Sequence, residues 1–139
     1  MDDQRECLKS IEVYHEDTNR WENLKITMAT ERHSHAAVSY NDKIFVFGGM
    51  RYGGIHCSVE VFENETFHFL MVPLLEPRSH FGCCQVGNKV YVVGGQNGKG
   101  VTGSVLIYDL DKNRWEKGVN LPFRASDVSV CAIENRYLF

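Results

Sequence analysis

Apolar and polar positions alternate along this chain in short bursts, and no stretch keeps the three-to-four spacing of an amphipathic helix. Residues 36–40 and 43–47 are two such bursts joined by Asn41-Asp42, and residues 83–86 and 89–93 repeat the arrangement across Gly87-Asn88. Two-residue links of Asn, Asp and Gly predict tight hairpins, because these residues tolerate the positive φ that such turns require. A third kind of burst reads Ser-Val-Glu-Val-Phe at 58–62 and Ser-Val-Leu-Ile-Tyr at 104–108. A fourth follows polar turns such as 15–19 and 110–113, and carries Trp21, Phe69 or Trp115. The pattern predicts an all-β chain of four-stranded antiparallel units.

These units repeat. Arg32, Arg78 and Arg124 stand 46 residues apart (78 − 32 and 124 − 78), and the segments they open align without a gap. The first two end in Gly48-Gly49 and Gly94-Gly95. A second set runs alongside, in which Tyr14 is followed by Trp21, Phe62 by Phe69 and Tyr108 by Trp115, each after seven residues. Self-similarity at a fixed period is the mark of a repeat architecture. A strand ending in Gly-Gly can bend where neighbouring sheets crowd, since neither residue carries a Cβ. The aromatics are the large apolar groups expected to fill the space between sheets.

Four-stranded units of this length, with Gly-Gly after an apolar strand and a Tyr-then-Trp pair, resemble the kelch repeat. The resemblance covers essentially the whole chain. It departs at Phe62 and Phe69, which stand where Tyr and Trp are usual, and in the last unit, which stops before its glycines. It implies a partial kelch β-propeller of four-stranded antiparallel blades, with residues 1–31 an outer half-blade, 32–77 and 78–123 two blades, and 124–139 an inner half-blade. In this frame Phe139 aligns with Phe47 and Val93, and Met1 lies just after the position of a Gly-Gly. The chain therefore spans about three units, fewer than the four to eight blades of a closed propeller. The expectation is a piece of a longer protein, or a small protein that closes its ring by oligomerising.

Composition narrows the function. The 139 residues carry 15 Lys and Arg against 18 Asp and Glu, a net charge of −3, which gives no reason to expect nucleic acid or an anionic membrane as partner. No apolar run approaches the roughly 20 residues of a membrane helix, and Met-Asp-Asp-Gln-Arg-Glu at the start does not read as a signal peptide. Cys7, Cys57, Cys83, Cys84 and Cys131 form no CxxC pair, so reduced thiols in a cytoplasmic protein are expected. The Asn64-Glu-Thr66 sequon is expected to be unused in that setting.

No catalytic constellation is expected. The loop Gly94-Gly-Gln-Asn-Gly-Lys-Gly100 lacks the P-loop spacing, because Val93 and Gly100 stand where Gly and Ser or Thr are needed, and no helix follows. His33, His35 and His80 near the blade starts have no recurring carboxylate with them, which argues against a metal site. No Ser/His/Asp set shows a local signature. No tyrosine, histidine and cysteine set of the galactose-oxidase kind can be assembled from the loops, which leaves a propeller enzyme as the lesser alternative. No cofactor is expected.

What remains is surface. In a propeller, the links between second and third strands and those entering each first strand share one rim around the channel, and loops on a rigid scaffold are where binding is usually placed. The candidate partner-binding residues there are Arg32, Arg51, Tyr52, Arg78, Ser79, His80, Gln96, Asn97 and Arg124. Each 46-spaced arginine has an alternative structural role, bonding to neighbouring carbonyls, whereas free rim arginines would suit acidic partner segments. The resemblance is strongest to the kelch region of BTB-kelch proteins, carried by residues 8–14 and 17–21. It implies a protein-interaction module of a substrate receptor for a cullin-based ubiquitin ligase, with the cullin reached only through a BTB region that these residues do not contain. Actin is a second partner within the same class.

Overall fold

The computed structural model describes residues 6–133 and the backbone of 136–138. Sixteen strands form among these residues, and no helix does. The first hairpin pairs β1 (Ser10–His15) with β2 (Arg20–Thr27). A four-stranded antiparallel sheet follows, in the order β3 (Ala36–Tyr40), β4 (Lys43–Phe47), β7 (Val59–Glu63), β8 (Thr66–Phe69). A second sheet repeats it as β9 (Gly82–Val86), β10 (Lys89–Val93), β13 (Val105–Asp109), β14 (Arg114–Lys117). The last hairpin pairs β15 (Cys131–Ile133) with β16 (Arg136–Leu138). Between second and third strands each four-stranded sheet extends a small ribbon: β5 (Met50–Arg51) with β6 (Gly54–Ile55), and β11 (Gln96–Asn97) with β12 (Gly100–Val101). The expected all-β arrangement of four-stranded antiparallel sheets is what forms.

Turn chemistry places the hairpins. Asn41 and Asp42 both take positive φ between β3 and β4, as do Asn64 and Glu65 between β7 and β8. The β1–β2 and β13–β14 turns are longer, each with one left-handed residue, Asn19 or Asn113. Tyr14 and Tyr108 each donate a hydrogen bond from the phenol to that asparagine's side-chain oxygen.

The core lies between the two four-stranded sheets. Phe45, Phe47, Val59 and Val61 of the first sheet meet Tyr108 and Trp115 of the second, with Leu74, Phe81, Val90, Val92 and Leu106 completing the cluster. Trp115 stands edge-on to Phe47 at 5.8 Å and packs on Tyr108 at 4.8 Å. At about 25 cal/mol per Å² of apolar surface, such aromatic burial is a leading stabilising term.

Two sequence alignments change. The short β7–β8 turn sets Phe67, not Phe69, opposite Phe62, with ring centroids 5.0 Å apart. Phe69 pairs with Glu60 instead and is half exposed. The seven-residue spacing of Phe62 and Phe69 therefore does not mark equivalent positions, because this hairpin is two residues shorter than its counterparts. The second change is at Arg124. Gly49 N–H donates to Arg78 O at 2.8 Å, and the same bond in the next unit runs from Gly95 to Ala125 O at 2.7 Å. Likewise Arg78 N–H donates to His56 O, and Ala125 N–H to Thr102 O. Ala125, not Arg124, occupies the third arginine position, 47 residues after Arg78 (125 − 78). The β15–β16 register agrees, since Ile133 opposite Arg136 matches Val86 opposite Lys89 only at that spacing. By the same offset Phe139 corresponds to Val92 rather than Val93, although Phe139 itself lies outside the described residues.

Candidate interaction rim

The blade-start arginines are buried ties. Arg32, 3% exposed, donates to Gly48 O at 2.6 Å, to Ser58 Oγ at 3.2 Å and to Glu60 at 2.5 Å. Arg78, fully buried, donates to Gly94 O at 2.7 Å, to Ser104 O and Oγ at 3.1 and 2.6 Å, and to Glu76 at 2.5 Å. In both units the guanidinium reaches 16 residues ahead to the first glycine of the pair and 26 ahead to a serine. It thus fastens the start of a blade to the base of its own second-to-third-strand link. Charge-assisted bonds of this kind are stronger than neutral ones.

The carboxylate that compensates each arginine comes from a different place. Glu60 sits on β7, wholly buried, and also accepts from Ala29 N and Thr30 N at 2.6 and 3.1 Å. The matching position on β13 is Leu106 (60 + 46), so in the second sheet Glu76 of the entering loop takes over. Burial pulls against its charge, but bonds from Ser104, Arg78 and Asn97 hold its pKa below the ordinary carboxylate value.

Gly-Gly serves the same seam. Gly48 and Gly49 both take positive φ, and a Cβ on Gly48 would stand 2.4 Å from Arg78 O. A side chain there would push the blades apart. Beside the seam, Ser34, His80 and Asp127 also have positive φ, and their backbones link blade to blade: His80 N–H donates to Ser34 O and Asp127 N–H to His80 O, at 3.1 and 2.8 Å. The Ser34 hydroxyl lies 2.9 Å from His33 Nδ1 and 3.1 Å from His80 Nε2, and His80 Nδ1 lies 3.1 Å from Ser79 Oγ. One polar chain of His33, Ser34, His80 and Ser79 therefore crosses the seam.

The expected rim is redistributed accordingly. Arg32, Arg78 and Ser79 are buried and unavailable to a partner. Arg124 is exposed but outside the repeat of ties. Arg51 is neutralised by Glu31 at 2.9 Å, and Asn97 is held by Glu76 at 2.9 Å, so both ribbon tips are pinned to the loops beneath them. Tyr52 projects fully into solvent, with Gln96 and His80 partly covered. Glu31, His33, Met50, Arg51 and Tyr52 border an open groove of about 660 Å³. The arginine-rich, acid-seeking rim expected from spacing is not what forms: two of its arginines are inside and a third is paired. Sequence reasoning did not single out Glu31, Glu76 or Ser34, and weighed His33 only as a metal ligand. The two glutamates stand next to or two before an arginine, a visible but weak signal. Among the described residues no group of three or more His, Cys, Asp or Glu gathers as metal ligands would, and the cysteines are free thiols.

Residues 1–139 match the KLHDC2/KLHL20/DRC7 Kelch-repeats domain. The chain is 34% identical over 127 residues to mouse (Mus musculus) Kelch-like protein 7, covering 91% of this chain and 21% of that protein. It is 31% identical over 121 residues to Kelch-like protein 26 of Danio rerio, covering 82% of this chain and 20% of that one. Beta-scruin of Limulus polyphemus is 27% identical over 124 residues, covering 81% of this chain and 13% of that protein. The chain thus spans about a fifth of the length of the Kelch-like proteins it matches. Among solved structures, YjhT superposes with a TM-score of 0.74 at 15% identity, over 84% of this chain and 45% of that one, a likeness of fold. Sheet order, arginine ties, glycine seams and these matches agree: the chain belongs to the kelch-repeat family, as part of a β-propeller.

Proposed function

We propose that this chain is the kelch portion of a BTB-kelch substrate receptor, a non-catalytic module that holds a protein segment on its rim for a cullin-based ubiquitin ligase. Likeness to Kelch-like proteins supports the interaction class. A BTB region elsewhere in the whole protein would contact the cullin, in the cytoplasm. The observation that carries the reading is the seating of the two ribbons. Buried Arg32 and Arg78 fix their bases, while Glu31 and Glu76 fix their tips. Such preorganisation lowers the entropy lost when a partner binds. Tyr52, exposed beside the groove, is the aromatic anchor that interfaces favour. Affinity capture followed by mass spectrometry tests this: Tyr52→Ala should deplete the bound proteins, while Glu65→Lys, at the opposite end of the blade, should not. Equal capture by both variants would remove the rim assignment.

Actin binding is a second reading, favoured by the likeness to Beta-scruin. Co-sedimentation with filamentous actin separates the two, because a ubiquitin-ligase receptor need not pellet with filaments.

A further inference from the structure

The bases of the two ribbons share a backbone arrangement but carry different chemistry. His56 stands 46 residues before Thr102 (102 − 56). His56 N–H donates to Gly49 O at 2.8 Å, and its carbonyl accepts from Arg78 N at 3.0 Å. Thr102 repeats both bonds, to Gly95 O at 2.9 Å and from Ala125 N at 3.2 Å. Each residue therefore joins the base of a ribbon to the start of the next blade.

The side chains part company there. Thr102 Oγ1 accepts from Ser104 N at 3.1 Å. His56 Nε2 is buried and has no hydrogen-bond partner among the described residues. Around the His56 ring stand Arg32 and Arg51, with Glu31 and Glu60 as the opposing charges. Both acids are already committed, Glu60 to Arg32 and Glu31 to Arg51. His35 crowds Gly49, the residue that accepts from His56, and is the remaining titratable group at this base. In the second unit Phe81, Thr102 and Leu106 stand where His35, His56 and Glu60 stand in the first, each 46 residues on.

A neutral imidazole can leave one ring nitrogen bare, whereas an imidazolium has two N–H donors to satisfy. A buried, unpaired cationic N–H is costly, and here it would also lie beside two arginines. Burial first, then Arg32 and Arg51, accordingly hold the His56 pKa below the ordinary histidine value. The protonated ring is satisfied only when the ribbon base opens and Nε2 reaches water.

We propose that His56 is a proton-operated latch on the first ribbon, holding its base shut when neutral and releasing it when protonated, while the second ribbon stays shut in both conditions. The closed base is fully stable above 6.5, the ordinary histidine value, and loses stability as pH falls below it, because the open form then takes up the proton more readily than the closed one. The consequence for binding rests on the rim reading proposed above: a partner held by the β5–β6 ribbon is released as the pH falls.

Amide exchange of the protein, followed residue by residue by NMR at about pH 7.5 and about pH 5.5, tests the latch without any partner. Dividing each rate by the intrinsic rate at that pH leaves the opening equilibrium. The corrected rates at the His56 and Arg78 amides should rise several-fold at the lower pH, with a ceiling of about tenfold set by the titration of an ordinary histidine across that window. Those of Thr102 and Ala125, the same two bonds in the second unit, should stay constant. His56→Thr gives the first unit the residue of the second and should remove the response. No rise at His56 and Arg78, an equal rise at Thr102 and Ala125, or a response that persists in His56→Thr would overturn the proposal. Affinity capture at the same two pH values distinguishes the latch from the rim reading. Partner loss at the lower pH that His56→Thr prevents supports both. Capture that stays constant while the ribbon opens upholds the latch and removes the first ribbon as the binding surface.

Discussion

Replacing Arg78 by methionine tests the arginine tie most sharply. Methionine fills most of the volume, so the cost comes from bonds rather than from a cavity. The guanidinium makes four hydrogen bonds, and its loss leaves the Gly94 and Ser104 carbonyls and the Glu76 carboxylate short of a donor. Breaking a buried ion pair from one side costs about 3–5 kcal/mol. The Glu76 side chain is 32% exposed and can rehydrate, which places the expected loss near the lower limit, about 3 kcal/mol. For a chain of this size that is a fall in Tm of roughly 10 °C. Arg124→Met is the control, because Arg124 shares the 46-residue spacing but not the structural position. It should change stability by about 0.5 kcal/mol or less, as exposed substitutions do. Urea and thermal melts followed by circular dichroism, at one fixed protein concentration, measure both. Equal losses for the two variants, or a larger loss for Arg124→Met, would refute the tie and the 47-residue register together.

Phe67→Ala should destabilise by about 1–2 kcal/mol, and Phe69→Ala by less than about 0.5 kcal/mol, because only Phe67 opposes Phe62; chemical denaturation of both variants checks this. Gly95→Ala should cost at least about 2 kcal/mol, since φ is +91° and the new Cβ would stand 2.4 Å from Ser79 O; failure of the variant to express as folded protein, or a large drop in Tm, is the readout. Stability should also fall in alkali. Burial raises the Cys83 thiol from 9.0 to about 12, and burial first, then the charge of Asp109, raises Tyr108 from 10.0 to about 12. Below pH 9 both groups are protonated folded or unfolded and add no pH dependence; between those ordinary values and about 12 only the unfolded chain releases their protons, so unfolding becomes easier as pH rises. Tm across that range should decline less steeply in a Cys83→Ala, Tyr108→Phe double variant. In mildly alkaline buffer, exposed Cys57 should be alkylated rapidly while Cys83 resists, a difference that mass spectrometry resolves.

Strand content, hairpin turns and the blade repeat were legible because they are local: alternation, Asn-Asp and Gly-Asn links, and Gly-Gly after an apolar strand each carry their own reason. Register across insertions was not. The two residues missing from the β7–β8 turn are partly offset by a longer loop after Phe67, so Arg32, Arg78 and Arg124 kept an equal spacing that Ala125 breaks in space. Burial of Arg32 and Arg78 was equally hidden. Their carboxylate partners, Glu60 and Glu76, lie 28 residues after one arginine and two before the other, so no fixed spacing reveals the pairing. Of the expected rim residues on or beside the ribbons, Arg51 and Tyr52 are exposed, whereas His80, Gln96 and Asn97 are partly buried, so position in the repeat predicts exposure only in part. The chain of His33, Ser34, His80 and Ser79 needed coordinates, because left-handed φ is uncommon at serine and, although commoner at histidine than at most residues, is still a minority conformation there.

The proposed capture of a protein partner on a rigid rim formed by the two ribbons would leave a footprint on the backbone. Hydrogen–deuterium exchange of the chain with and without a protein recovered by affinity capture tests it most directly. Protection should appear at residues 50–55 and 96–101, and the 41–42 and 64–65 turns at the other end should stay unchanged. Protection confined to those opposite turns, with the ribbons unaffected, would contradict the account.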